Sequence, residues 1–213
     1  MKKSVLGLLI GSMILLTGCS FDSSVEKMLS ETLSKMNDAE QEYRNAQAEL
    51  TEIEMAEQQL FIETMKLSRE QREELEAKTT QLEEQQAERM ELVETEKKAM
   101  GQASSYMEEF NAIIENAEGS VQEELKQLQQ AMKERYEQHG EFLPSYTELA
   151  TLQKELYQML TEEETDYRKL KEQVQSINEL NEKVQLKVEA FNNKTRDVNE
   201  LREKVEKSLQ QDQ

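Results

Sequence analysis

The chain has 213 residues, one proline, no tryptophan, one cysteine and a formal net charge of −19. A surface of that sign excludes the phosphate-neutralising Lys/Arg stripes of a nucleic-acid binder, and a single cysteine excludes an internal disulfide. One histidine with one cysteine leaves nothing to build a nucleophilic dyad or a zinc site, so neither cofactor nor metal is expected and the chain reads as no enzyme.

The first 18 residues have the three parts of an export signal, in order. Lys2 and Lys3 are the positive start, Val5 to Leu16 the apolar run, and Thr17 and Gly18 the small residues before Cys19. The apolar run is shorter than the roughly 20 residues that span a bilayer. Leu16-Thr17-Gly18-Cys19 resembles the bacterial lipobox, in which the cysteine thiol takes a diacylglyceryl group and the peptide is cut just before it. Residues 1–18 are therefore read as a lipoprotein signal peptide, 19–23 as a lipidated tether, and 24–213 as one domain on the extracytoplasmic face of the membrane. Two acyl chains anchor stably without a basic patch. The mature chain needs that, because it has lost two lysines and carries −21.

Beyond Cys19 the composition is that of long helices. A walk in steps of three and four from Val25 meets Leu29, Met36, Ala39, Tyr43, Ala46, Leu50, Ile53, Leu60 and Leu67. Residues 75–117 repeat the pattern weakly at first, through Gln85, Gln86 and Arg89, then strongly through Met100, Met107, Phe110 and Ile114. From Val121 the walk meets Leu125, Leu128, Met132, Phe142, Tyr146, Leu149, Leu156 and Leu160. From Tyr167 it passes Leu170, Val174, Ile177, Asn181, Val184, Val188, Phe191 and Val198 to Leu209. A 3.5-residue repeat sustained this long makes one apolar seam per helix, with coiled-coil-like packing.

Four Ser/Thr residues with Glu/Gln three positions on are candidate capping boxes: Ser23 with Glu26, Ser68 with Gln71, Ser120 with Glu123, and Thr161 with Glu164. Gly119 is a stop for the helix before the third box. These starts divide the domain into four helices of about 40–50 residues, which short connections force into an all-α, elongated up-and-down bundle. Pro144 predicts a kink in the third helix, though the walk keeps phase through it. His139 lies on that seam beside Arg135 and is expected in the core, as are Tyr106, Tyr136, Tyr146, Tyr157 and Tyr167. The Glu73-Glu74-Glu76, Glu83-Glu84 and Glu162-Glu163-Glu164 runs read as solvated faces or first turns. Residues 161–213 carry 13 acidic and 10 basic groups, against 11 and 4 in residues 22–67. Any contact with an anionic polymer is therefore expected at Lys183, Lys187, Lys194 and Arg196; ordinary ion pairs within the helix account for them equally well.

The layout resembles the cell-wall-binding lipoproteins of Bacillus-type bacteria, the YkyA-like family. The resemblance is carried by the lipobox, the mature length, the segment from Met132-Lys-Glu-Arg-Tyr-Glu-Gln-His to Leu156-Tyr-Gln-Met-Leu160, and Val188-Glu-Ala-Phe-Asn192. It implies a helical bundle anchored outside the cell that contacts wall material, with no catalytic residues; a scaffold for envelope proteins is the rival reading. If Cys19 carries the lipid, the protein partitions into the detergent phase of a Triton X-114 separation, and Cys19→Ala is released or left unprocessed. Wild-type protein found wholly in the aqueous phase refutes the anchor.

Overall fold

The structure is a computed structural model that describes residues 24–68, 70–162 and 166–211. Cys19, the signal segment and most of the Thr161/Glu164 box lie outside them. The described residues form an all-α bundle with no strand, built from six α-helices and one 3-10 turn. These make four rods: α1 (Ser24–Ala39) with α2 (Gln41–Thr64), α3 (Arg72–Ser105) with α4 (Glu109–Glu115), α5 (Gly119–Thr161), and α6 (Tyr167–Gln211). The rods alternate up and down. Val25 at the start of the first, Ala117 after the second, Val121 at the start of the third and Leu209 at the end of the fourth share one apolar cluster. At 1.5 Å per residue α6 is about 68 Å long.

The four expected rods are present, and two are composite. The first is interrupted at Glu40, although the amide of Glu40 still bonds the Met36 carbonyl at 3.0 Å and its carbonyl accepts from Arg44 at 3.1 Å. Glu40, four residues after Met36 and three before Tyr43, faces inward at 2% exposure, where the walk placed the half-buried Ala39. The second rod tightens at Tyr106–Glu108 into a 3-10 turn. There α1 and α4 are tied together by Thr32 and Lys35, which donate to Glu109 at 2.8 and 2.9 Å.

Helix α5 runs without a break through Pro144. Proline has no N–H to give the Gly140 carbonyl, and its ring crowds that turn. One position on, the carbonyl of Glu141 accepts from Lys187 Nζ of α6 at 2.7 Å, so the neighbouring rod supplies a donor beside the proline.

The caps follow the expected boxes only in part. In Ser68/Gln71 the reach-back half forms, the Ser68 amide donating to Gln71 Oε1 at 3.1 Å, but the helix begins at Arg72. Ser120 lies inside α5 and does not cap it, because Gly119 is already its first residue, at φ +59. The turn before it is closed by Gln122 Nε2, which donates to the carbonyls of Ile114 and Ala117 at 2.9 Å each. A start at Thr161 is corrected: Thr161 ends α5, and the Asp166 carboxylate accepts the Arg168 amide at 2.9 Å to cap α6. Asp166 gives the first turn both an acceptor and a favourable charge.

Apolar and charged layers alternate along the rods. Leu29, Met36, Phe110, Leu125, Leu128 and Val205 fill the first apolar block. Beyond it, Arg135 of α5 crosses the centre to Glu40 through two bonds of 2.7 and 3.0 Å. Tyr136 donates to Glu40 at 2.6 Å, and Arg135 Nε donates to Thr195 at 3.1 Å. A second apolar block follows around Leu50, Val93, Phe142, Leu149 and Val184. Removing one member of the Arg135–Glu40 pair strands a buried charge, which costs about 3–5 kcal/mol, whereas apolar replacement of both is close to neutral. Arg135→Met is thus expected to lower unfolding stability by that amount, and Glu40→Leu/Arg135→Met to recover most of it. Urea unfolding followed by circular dichroism checks this; equal losses in the single and double variants refute the coupling.

Candidate functional site

A second charged layer lies towards the end of the bundle opposite Ser24. Arg89 of α3, on the seam, donates to Glu57 of α2 at 2.7 Å and to Gln153 of α5 at 3.1 Å. Tyr157 donates to Glu57 at 2.5 Å. Tyr146 donates to Glu54, and the Arg89 guanidinium lies 5.3 Å from the centre of the Tyr146 ring. Glu57 and Arg89 are only 2% and 3% exposed, while Glu54 is half-buried.

Above this layer the fourth rod stands away from the first. A cleft of about 230 Å³ opens between α2, α5 and α6, with Glu54, Glu57, Arg89 and Tyr146 on its floor. Met55, Phe61, Leu156 and Ile177 make apolar walls, and Gln58 and Asn181 stand beside them. The opening has a visible consequence for the seam of α6. Tyr167 is 78% exposed and Val174 42%, against the expectation that both are core. Leu180 takes the core position in place of Asn181, which faces the cleft. In its first three turns α6 meets α5, where Gln173 donates to the Leu152 carbonyl at 2.8 Å, but Tyr167 and Val174 face away into water.

The other expected core residues divide by depth. Tyr146 and Tyr157 are buried and Tyr136 half-buried, each with its hydroxyl on a carboxylate, which is how a buried phenol keeps a hydrogen bond. Tyr106 is half-buried and stands 5.9 Å from Lys35 Nζ. His139 is in the core against Tyr43, Phe142 and Phe191. Burial, helped by the Arg135 charge, lowers its pKa to about 4, so it is neutral at neutral pH. Among the described residues its Nε2 has no hydrogen-bond partner.

Of the expected contact residues, Lys183 and Arg196 are exposed, and Arg196 donates to Asn193. Lys187 is taken up by the Glu141 carbonyl, and Lys194 pairs with Glu134 of α5 at 2.7 Å and with Asp197 at 3.6 Å. Two of the four thus join α6 to α5, an arrangement between helices rather than within one. Glu73, Glu74, Glu76 and Glu84 are exposed as expected, and Glu83 is half-buried. Among the described residues no group of three metal-ligating side chains converges, and no helix is long and apolar enough to cross a membrane.

Sequence reasoning missed the buried carboxylates Glu40, Glu57 and Glu96 and the half-buried Glu54. The signal was partly present. Continued in steps of three and four, the walks that meet Leu50 and Val93 also land on Glu57, Arg89 and Glu96. Opposite charges recur at seam positions of neighbouring rods, and a charge on a seam must find a partner or lose itself. Burial would raise the Glu40 carboxyl, but the charge and bonds of Arg135 and the bond from Tyr136 overcome it and hold it below the usual range. Glu54 goes the other way: burial raises it, and Arg89 and Tyr146 only partly oppose. Glu96 has no cation at all. Gln47 donates to it, its second oxygen is buried without a partner, and burial pushes it up to about 8.

Four long rods crossed by two charged layers, with a cleft opening above the second, define an all-α helical bundle. Residues 24–208 match the family described as "Putative cell-wall binding lipoprotein", YkyA, and the chain belongs to that family. It is 26% identical over 152 residues to the uncharacterized lipoprotein YkyA of Bacillus subtilis (strain 168), a match covering 71% of this chain and 68% of that one. The fold is shared with a crystal structure of a conserved protein of unknown function from Staphylococcus aureus. That match has a TM-score of 0.71 and 16% identity, and covers 88% of this chain and 98% of the other.

Glu96 gives a pH signature with a definite sign. Its folded-state pKa of about 8 lies above the ordinary 4.5, so the folded state holds a proton that the unfolded chain releases. Stability from this group is complete below about 4.5 and falls through about 8, by at most about 1.4 kcal/mol per pH unit. His139 acts oppositely, losing stability as pH drops from 6.5 towards 4. Glu96→Gln should therefore flatten the alkaline limb of the stability curve and raise the melting temperature at pH 8, leaving the acid limb in place. An unchanged alkaline limb refutes the buried proton.

Proposed function

We propose that this chain is a non-enzymatic lipoprotein, held to the extracytoplasmic face of the cell membrane by lipid on Cys19, that contacts cell-wall material. The observation that carries the reading is the polarity of the rod. Ser24 and Leu209 lie at one end, and Cys19 is five residues before Ser24, a reach of at most about 18 Å. An anchor there keeps that end at the membrane and holds the charged layer of Arg89 and its cleft a rod's length away, in the wall. Family membership supports the same reading.

The charge sets the physics of such a contact. Anionic wall polymers and a chain of −21 repel over roughly a Debye length, about 8–10 Å at physiological salt. Binding must then rest on short-range contacts, on bridging divalent cations, or on the nearly balanced α6. Lys183 and Arg196 are its exposed cations in the expected set, since Lys187 and Lys194 are engaged with α5.

Full-length protein in nonionic detergent, sedimented with purified walls across a salt series, tests this. Binding is expected to be weak at low salt and to strengthen as salt screens the repulsion or as Mg²⁺ or Ca²⁺ is added. Lys183→Glu/Arg196→Glu should weaken it further. Tight binding at low salt that is lost as salt rises contradicts the balance of forces. Binding under no condition favours a scaffold for envelope proteins instead.

A further inference from the structure

The second charged layer differs from the first in one respect. Around Arg135 the direct pairing is balanced: one guanidinium and one carboxylate, both almost wholly buried, with the Tyr136 hydroxyl donating to Glu40 and the Thr195 hydroxyl accepting from Arg135 Nε. Around Arg89 there are two carboxylates for one guanidinium. Glu57 takes the direct ion pair, which leaves Glu54 with the Tyr146 hydroxyl and the charge of Arg89 at longer range. Among the described residues that line the cleft, Arg89 is the sole base. Glu54 is also the group that is not closed off, being half-buried on the cleft floor.

The space above Glu54 is small and mostly apolar. Binding pockets for drug-sized molecules run about 300–1,000 Å³, so about 230 Å³ suits the tip of a side chain rather than a sugar chain or a folded segment. Met55, Phe61 and Ile177 would wrap a methylene stem. A carboxylate deep in such a site rewards a cation far more than it would in water, because the local dielectric is low. The overall charge of the chain adds attraction at long range. A neutral ligand would leave the excess negative charge in place, and an anion would add to it.

We propose that the cleft between α2, α5 and α6 binds a primary ammonium group on a short aliphatic stem, with Glu54 as its counter-charge. This rests on the wall-contact reading and deepens it: the ligand is then an amine carried by wall material, held at short range by a chain that the bulk of the wall polymer repels. Glu54 accepts from the ammonium while keeping the Tyr146 hydroxyl, Phe61 and Met55 cover the stem, and the Arg89–Glu57 pair stays fixed as the floor.

The test uses full-length protein in nonionic detergent, with n-pentylamine as probe and 1-pentanol as its uncharged counterpart, by titration calorimetry. Pentylamine should bind at least tenfold more tightly than pentanol. Glu54→Gln, which keeps an acceptor for Tyr146, should lower pentylamine affinity tenfold or more. Glu91→Gln, an exposed charge on α3 away from the cleft, should leave it unchanged. Equal binding of pentanol, or undiminished binding to Glu54→Gln, overturns the proposal, as does the absence of pentylamine binding. Walls whose amines have been acetylated separate the two readings. Sedimentation that survives both acetylation and Glu54→Gln keeps wall contact and removes the cleft from it. Pentylamine binding that depends on Glu54, with no sedimentation by any wall, keeps the site and removes wall material as its source.

Discussion

Arg202, 8% exposed, pairs with Glu206 of its own helix; the two arginines deepest in this bundle are Arg135 at 4% exposure and Arg89 at 3%. Neither can shed its charge, since an arginine keeps its proton in any protein environment. Each must therefore be met by a carboxylate from another rod at one fixed height, Glu40 for Arg135 and Glu57 for Arg89. The rest of the structure depends on that requirement. Long helices with a repeating apolar seam can slide past one another by a heptad at small cost, because one ring of Leu and Met resembles the next. A buried charge that finds its partner only in one register removes that freedom, as a polar residue does at a core position of a coiled coil. The pairs add little net stability for what they cost in desolvation. Their effect is to set height and neighbour.

The two layers are built for different ends. Around Glu40 the geometry closes: a bidentate fork, a phenol and a threonine hydroxyl, backed by the rings of Tyr43, His139 and Phe191. Glu40 reaches this layer from the junction of α1 and α2, with the hydrogen bonds on both sides of it kept. Around Arg89 the geometry stays open on one side, because α6 starts away from α2 and leaves the layer beneath a cleft. A charged network that reaches solvent through a small apolar mouth is poised to take a ligand group, and one sealed by rings is poised to hold rods together.

The surface lysines of α6 show how a structural duty can look like a binding motif. Their spacing suggests a cationic stripe. In the bundle Lys187 supplies a donor to a carbonyl beside Pro144, and Lys194 pairs with Glu134 across the α5–α6 contact. Hydrogen bonding to Glu134, with the nearby carboxylate charges, raises the Lys194 pKa despite its position at the surface. A basic residue on a strongly acidic protein meets a carboxylate of its own chain first, and what remains for a partner is smaller than the count of lysines suggests.

Sequence by itself determined the helical class, the four rods, their alternating direction and most of the seam, because a 3.5-residue repeat leaves one way to bury each apolar stripe. Buried Leu125, Leu128, Met132, Val184, Val198 and Val205 were legible from spacing alone. Tertiary structure decided the exceptions. Glu40 lies one residue off the walk, four after Met36, and its burial as a charge depends on Arg135, 95 residues away. Tyr167 and Val174 satisfy the repeat yet stay exposed, because burial needs a facing rod and α2 stands across a cleft. Asp166 replaced Thr161 as the cap of α6 because the length of α5, set by its packing, carries the helix as far as Thr161. Periodicity describes one helix at a time; which charge meets which, and where two rods part, depends on how the helices are placed together.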